Sequence, residues 1–188
     1  MLILIADDES IIRLGIKSML EGLGHQVIAA ANGREAIRMA ERQQPDLAIL
    51  DIQMPYTNGL QAARAIMVAR PLPILILTAF SEEDLIDKAT DLPIQGYLVK
   101  PIEPESLGAA IKVAVKRFSE SQALAARTAQ LEGDLAARKL IARAKGKLMQ
   151  DGLSEEEAYH TIQDYARRER QTLAAAAAAI LSHPLDQF

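Results

Sequence analysis

Asp46-Leu47-Ala48-Ile49-Leu50-Asp51-Ile52-Gln53-Met54-Pro55 is the stretch that decides the fold. Its apolar centre shows no polar alternation, which predicts a strand covered on both faces, as in a parallel sheet. Working outward, Met1-Leu2-Ile3-Leu4-Ile5-Ala6 and Pro73-Ile74-Leu75-Ile76-Leu77-Thr78 have the same character. Gln26–Ala30 and Gln95–Val99 are two further short apolar runs. Between the runs lie amphipathic segments near 10–22, 33–43, 58–69 and 82–90. In the second of these Ala36, Ile37 and Ala40 share one face, with Arg34, Arg38, Glu41 and Arg42 opposite. Gly24, Asn32-Gly33, Pro45, Asn58-Gly59 and Pro71 punctuate the joins. With a helix from Glu103 onward, five strands alternate with five helices and predict an α/β doubly wound domain on a five-stranded parallel sheet.

Beyond Glu103 the pattern is wholly helical. Leu107, Ile111, Ala114 or Val115, and Phe118 are placed to pack on the sheet. Leu124, Thr128, Leu131 and Leu135 then follow 4-3-4 spacing, the seam of a short coiled coil, although the spacing slips between Phe118 and Leu124. Three more helices are readable. The first runs from about Leu135 to Gln150 and ends at Asp151-Gly152, where Gly152 suits a left-handed cap. The second opens at Ser154 with a capping box to Glu157. The third starts near Thr172 and contains the run Ala174–Ala179, whose composition specifies helix rather than a packing partner. The expected organisation is 1–120 for the α/β domain, 121–136 for a coiled-coil linker and 137–188 for a three-helix bundle.

Composition excludes several classes. The 188 residues contain no cysteine, which removes disulfides and thiolate zinc sites. His25, His160 and His183 lie far apart without ligand spacing, so they read as solvated or core histidines. No apolar run approaches the ~20 residues that span a bilayer. The chain also runs straight into a strand-like segment without a basic leader, so a soluble cytoplasmic protein is expected. The net charge of −4 resides in residues 1–120, with 12 basic and 16 acidic side chains; residues 121–188 carry nine of each. Within that second part Arg138, Lys139, Arg143, Lys145 and Lys147 come with no acid between them, a local basic stretch of the kind that meets nucleic acid.

The chemistry is expected where parallel strands end. Asp7 and Asp8 follow the first strand, Asp51 the third, Thr78 ends the fourth and Lys100 the fifth, just before Pro101. Converging carboxylates repel unless a cation lies among them, and hard oxygen ligands suit Mg²⁺. Taken singly, each residue has a plainer explanation: Asp8 or Ser10 as a helix cap, Asp51 as a turn residue, Thr78 as a strand former. All five at strand ends, in order, point to an aspartate made into a phosphoryl acceptor.

Ala6-Asp7-Asp8-Glu9, Asp51-Ile52-Gln53-Met54-Pro55 with Gly59, Thr78-Ala79 and Tyr97-Leu98-Val99-Lys100-Pro101 together resemble the response-regulator receiver family over roughly residues 1–120. The resemblance implies a flavodoxin-like receiver whose Asp51 takes a phosphoryl group from a sensor histidine kinase. It also implies Mg²⁺ held by Asp8, Asp51 and the backbone carbonyl of Gln53, with Asp7 acting through water. Lys100 would bind a phosphoryl oxygen, its bond to Pro101 would be cis, and Thr78 with Tyr97 would form the switch pair. Phe80, two residues beyond Thr78, is expected to shield the acyl phosphate from water.

The second half, Arg138-Lys139-Leu140-Ile141-Ala142-Arg143-Ala144-Lys145-Gly146-Lys147-Leu148-Met149 and then Ser154-Glu155-Glu156-Glu157-Ala158-Tyr159, resembles the ANTAR domain over about 130–181. That resemblance implies an RNA-binding transcription antiterminator acting on hairpins in nascent RNA. Ile141, Ala144, Leu148, Leu153, Ala158, Ile162, Ala166, Ile180 and Leu181 can form its core. Arg138, Arg143, Lys145, Lys147, Arg167, Arg168 and Arg170 can form a basic surface, with Tyr159 free to stack on an unpaired base. The alanines Ala144 and Ala158 suit either close approach to RNA or helix packing. A homodimer, at least when phosphorylated, would form through the coiled-coil seam. The rival readings are a DNA-binding regulator, disfavoured by the acidic start Glu155–Glu157, and a protein-interaction module.

Overall fold

A computed structural model of the chain describes residues 1–79 and 94–182. The helix expected at 82–90, Phe80 and His183 lie outside the described residues. The chain divides into two compact units, Met1–Gln122 and Ala123–Phe188.

In the first unit the strands are β1 (Leu2–Ala6), β2 (Gln26–Ala30), β3 (Leu47–Asp51), β4 (Ile74–Thr78) and β5 (Gly96–Val99). All neighbours pair in parallel, in the order β2-β1-β3-β4-β5. The helices are α1 (Ser10–Gly22), α2 (Gly33–Gln43), α3 (Gly59–Ala69) and the first part of α4 (Pro104–Gln150), which continues into the second unit. Side chains alternate across the pleat, so β1, β2, β3 and β4 each feed two cores, whereas β5 gives Leu98 to one of them. Leu4, Ala6, Ala48, Leu50, Ile74 and Ile76 pack with Ala36, Ala40, Ala62, Ala63 and Ile66 of α2 and α3. Ile3, Ile5, Leu47, Ile49, Leu75 and Leu77 pack with Ile16 and Leu20 of α1 and with Leu107, Ile111 and Ala114 of α4. This two-sided burial is why the strand sequences carry no polar alternation.

Local signals set the boundaries. Asn32 caps α2 by accepting from the Glu35 amide at 3.0 Å. Asn58 and Gln61 form a reciprocal capping box at the start of α3. The chain order reverses between β1 and β3, the switch point beyond whose strand ends such sheets bind ligands.

The helix expected to begin near Leu135 has no such start. It is the last part of α4, which runs unbroken from Pro104 to Gln150. Between those residues there is no internal proline and only isolated glycines, so nothing stops the helix before Gly152. Leu124, Leu131 and Leu135 are exposed, and the Thr128 hydroxyl donates back to the Leu124 carbonyl at 3.0 Å.

The second unit adds α5 (Glu155–Arg168) and α6 (Leu173–Ser182). Gly152 adopts the left-handed conformation at φ +101°, and the Ser154–Glu157 capping box opens α5. Thr172 caps α6 by accepting from the Ala175 amide at 3.2 Å. The core consists of Ala144, Leu148, Ala158, Ile162, Ala166, Ala176, Ala177 and Ile180. Ala144 and Ala158 are fully buried and therefore pack helices. The alanine run forms the expected helix, and the structure supplies the face that its composition does not specify: Ala176 and Ala177 are fully buried while Ala175 and Ala178 are exposed. A narrow side chain lets three short helices approach closely, so alanine defines the face by fit rather than by bulk.

Candidate phosphoacceptor site and output surface

Pairing of β1 with β3 sets Ala6 opposite Leu50, so Asp7 and Asp51 emerge side by side. Asp51 closes β3 itself, the strand ending one residue later than the sequence suggests. Asp7 is almost fully buried, Asp51 is buried and Asp8 is exposed. Each of the three offers a carboxylate oxygen, and these lie within 4.8 Å of one another. Lys100, directly after β5, reaches both buried acids: its Nζ is 2.7 Å from Asp51 Oδ1 and 2.8 Å from Asp7 Oδ2. Burial works against the charged form of Lys100, but the Asp51 and Asp7 carboxylates beside it outweigh that cost. The ammonium is accordingly held above the usual lysine range.

Three carboxylates against one ammonium leave two negative charges in excess in this cradle. The contact from Lys100 to Asp7 Oδ2 has the distance of an ion pair but not hydrogen-bond geometry, so that buried oxygen has no hydrogen bond. Excess charge, hard oxygen donors and a buried carboxylate oxygen that accepts no hydrogen bond all fit a small divalent cation such as Mg²⁺.

The surrounding loops are held close. Asp7 Oδ1 accepts from the Glu9 amide at 2.8 Å, so the carboxylate fixes its own loop. Neither Asp8 nor Ser10 caps α1, whose N-cap is Glu9 without a side-chain bond. A Cβ on Gly59 would lie 2.0 Å from the Asp51 carbonyl oxygen, so only glycine lets α3 start this close to the acceptor. The Lys100–Pro101 bond is cis. Thr78 is buried and donates to the Ala79 carbonyl at 3.0 Å. Tyr97, two positions from it across the β4–β5 ladder, is 36% exposed, and partial burial raises its phenol above the ordinary range. Gln53 lies exposed in the loop after β3.

One residue near the site escaped sequence reasoning. The Arg13 guanidinium donates to the carbonyl of Asp7 at 2.6 Å and reaches that of Asp8 at 3.4 Å, tying α1 to the acidic loop. An arginine one turn into a helix looks like an ordinary solvated residue, and only the path of the chain brings it back to Asp7.

In the second unit Arg138, Lys139, Arg143 and Arg167 are exposed, as is Tyr159 at 37%. Two other lysines of the basic stretch have internal partners. Lys145 is paired with Glu155, whose carboxyl is held below the usual range by that hydrogen bond and charge. Lys147 donates to the Ile180 carbonyl at 2.8 Å, closing the last turn of α6. Arg168 bonds Glu169 at 3.0 Å and stacks over the Tyr165 ring at 5.0 Å.

With this geometry in place, comparison with known proteins defines the class. The response regulator receiver domain model matches residues 3–112, and the ANTAR domain model matches residues 129–181. The chain belongs to the response regulator receiver family, with an ANTAR output domain. Among its relatives is the transcriptional regulatory protein PdtaR of Mycobacterium tuberculosis, 41% identical over 181 residues, covering 95% of this chain and 88% of the relative. A receiver domain from Clostridium thermocellum is 34% identical with a TM-score of 0.57, over 62% of this chain and 94% of that one. The receiver domain of a sensor histidine kinase from Pseudomonas aeruginosa, solved with magnesium coordinated in its active-site cleft, is 30% identical with a TM-score of 0.57. That match covers 61% of this chain and 97% of the other. The protein is a two-component response regulator acting as an RNA-binding antiterminator. Among the described residues no helix is long and apolar enough to cross a membrane.

Proposed function

We propose that Asp51 accepts a phosphoryl group from the phosphohistidine of a cognate sensor kinase. The Asp51 oxygen forms the new bond to phosphorus as the phosphorus–nitrogen bond breaks, and the histidine ring leaves. The observation that carries this reading is the Lys100 ammonium, 2.7 Å from Asp51 Oδ1 in a cradle of three carboxylates. Lys100 can follow the transferred oxygens because it already lies at the acceptor. Asp8, Asp51 and the Gln53 carbonyl would hold Mg²⁺, with Asp7 acting through water. When bound, the cation supplies neutralisation of charge on the phosphoryl oxygens. Asp7 holds its loop through the Glu9 amide and keeps Lys100 oriented. Thr78 and Tyr97 form the switch pair, Thr78 moving toward the phosphoryl group and Tyr97 turning into the space vacated. Catalysis in this reading is confined to the protein's own phosphorylation and dephosphorylation.

The phosphorylated form pairs through the exposed seam Leu124, Leu131 and Leu135 into a homodimer in the cytoplasm. Two output domains then meet paired RNA hairpins, raising avidity by effective concentration. Arg138, Arg143 and Arg167 contact phosphates and Tyr159 stacks on a loop base, with Lys145 available once Glu155 is displaced.

The test is incubation of the full chain with acetyl phosphate and MgCl₂, followed by phosphate-affinity electrophoresis and intact mass. One phosphoryl group on the native chain and none on Asp51→Asn is the expected result. A phosphoryl group retained by Asp51→Asn would reject the assignment.

A further inference from the structure

We infer that a pocket at the C-terminal end of α5 takes one unpaired nucleotide of the bound RNA, an inference that rests on the RNA-binding reading above. The pocket is an open surface depression of about 400 Å³, lined by Gln163, Ala166, Arg167, Arg170, Gln171 and Leu173. That volume lies within the ~300–1,000 Å³ of small-ligand sites. All six lining residues fall within the ANTAR match at 129–181.

The lining divides by chemistry. Buried Ala166 and half-buried Leu173 form an apolar floor for the face of a base. Gln163 and Gln171 each carry an amide with donors and an acceptor, the complement of an unpaired base edge. Arg167 and Arg170 supply cations for the adjoining phosphate. An acidic peptide would use the arginines but leave the paired amides and the flat floor without a role.

The wall is built by a hydrogen-bonded turn. The Arg170 amide donates to the Arg167 carbonyl at 3.2 Å and the Gln171 amide to the Ala166 carbonyl at 2.9 Å. This leaves Arg170 in the left-handed region at φ +52°. At the equivalent turn ending α4 the chain places Gly152, which takes such a conformation freely. At the end of α5 an arginine adopts this conformation despite the steric penalty, which places its side chain in the lining of the pocket.

The cations of the second unit differ in availability. Lys145, Lys147 and Arg168 have partners within the fold. Among the described residues Arg170 has no acidic partner. The pair Arg167–Asp164, at 3.5 Å with side chains 77% and 74% exposed, is the kind a phosphate displaces readily.

The experiment uses the full chain and hairpin RNAs of one invariant stem with randomised loops, selected on the native protein. Arg170→Gly removes the guanidinium while favouring the left-handed backbone, so circular dichroism should show an intact fold. It should bind the selected hairpins about tenfold more weakly, with a salt slope lower by about one. Gln163→Ala/Gln171→Ala should keep the slope and lose discrimination among loops. An abasic nucleotide at one loop position should weaken native binding about tenfold and the double variant hardly at all, the mark of a direct contact. Native-like affinity in both variants, with an abasic penalty unchanged by the double substitution, would overturn the pocket and leave RNA binding standing. Equal competition by polyglutamate would assign the pocket to acidic peptides and overturn it as well. If the native protein selects no hairpin over an unstructured control, the RNA-binding reading fails first and takes the pocket with it.

Discussion

In Met1–Gln122 the decisive charges lie below the surface: Asp7 and Asp51 are buried and share one ammonium. In Ala123–Phe188 the candidate cations lie on the surface, and their availability depends on which have found internal partners. The first arrangement is set by strand ends meeting at a fixed register, so a carboxylate displaced by one residue would face the wrong layer. The second is set by helix faces, where a neighbouring residue can take over much of a lost contact. Chemistry at a single atom demands the former, whereas a salt-dependent grip on a polyanion tolerates the latter.

The two arrangements differ most at Lys100. Lys100→Ala should slow phosphorylation by acetyl phosphate by ~10²-fold or more. Because two buried carboxylates would then lack their counter-charge, MgCl₂ should raise the melting temperature of this variant more than that of the native chain. Equal phosphorylation rates would reduce Lys100 to a structural counter-ion.

The next largest effect belongs to the other unit. Of the eight residues that form its buried core, five are alanine, leaving Leu148, Ile162 and Ile180 to supply most of the apolar volume. Ile162→Ala should therefore cost ~2–5 kcal/mol and melt the helical unit while the sheet unit stays folded. Far-UV circular dichroism would follow this as an early helical transition; a single transition at the native temperature would contradict it.

Smaller effects separate bound from available cations. Lys147→Met should lower stability by about 1 kcal/mol through the lost bond to Ile180, with an unchanged salt slope of RNA binding. Arg143→Ala should do the reverse, lowering the slope by about one at constant melting temperature. The reversed pattern would mean that Lys147 leaves α6 to meet the RNA.

The smallest effect is titration of the α5 cap. Hydrogen bonds from the Ser154 side chain and backbone hold the Glu157 carboxyl below its ordinary range. A depressed carboxyl contributes stability above its unfolded value, and that contribution is lost as pH falls through the folded value. Helicity should thus decline slightly on acidification below about pH 4.5, and Ser154→Ala should remove that dependence.

Legibility in the sequence followed the same division. The strands were readable because short apolar runs bounded by turn residues alternate with amphipathic segments, and their ends put Asp7, Asp51, Thr78 and Lys100 at one edge of the sheet. Arg13 was not readable, since its contact with the Asp7 carbonyl depends on the path of the loop between β1 and α1. In the helical unit Ser154, Glu157 and Gly152 announced their ends through local chemistry. The continuity of α4 past Leu135 was not readable because the apolar seam gives way there to basic residues, a change of face that leaves the backbone unbroken. The partners of Lys145 and Lys147 were hidden for a related reason: side-chain pairing between helices depends on their rotation, which composition does not encode.

Ala174–Ala179 looks like the most interchangeable stretch of the chain, yet two of its residues face inward and the helix continues to Ile180. Each residue turns an α-helix by ~100°, so one alanine more or less would swing Ile180 away from Leu148 and Ile162. Swapping any alanine there for another would change nothing, whereas altering how many there are would undo the bundle. The monotony of this run conceals a length requirement, and its tolerance should be judged by counting residues rather than by reading their names.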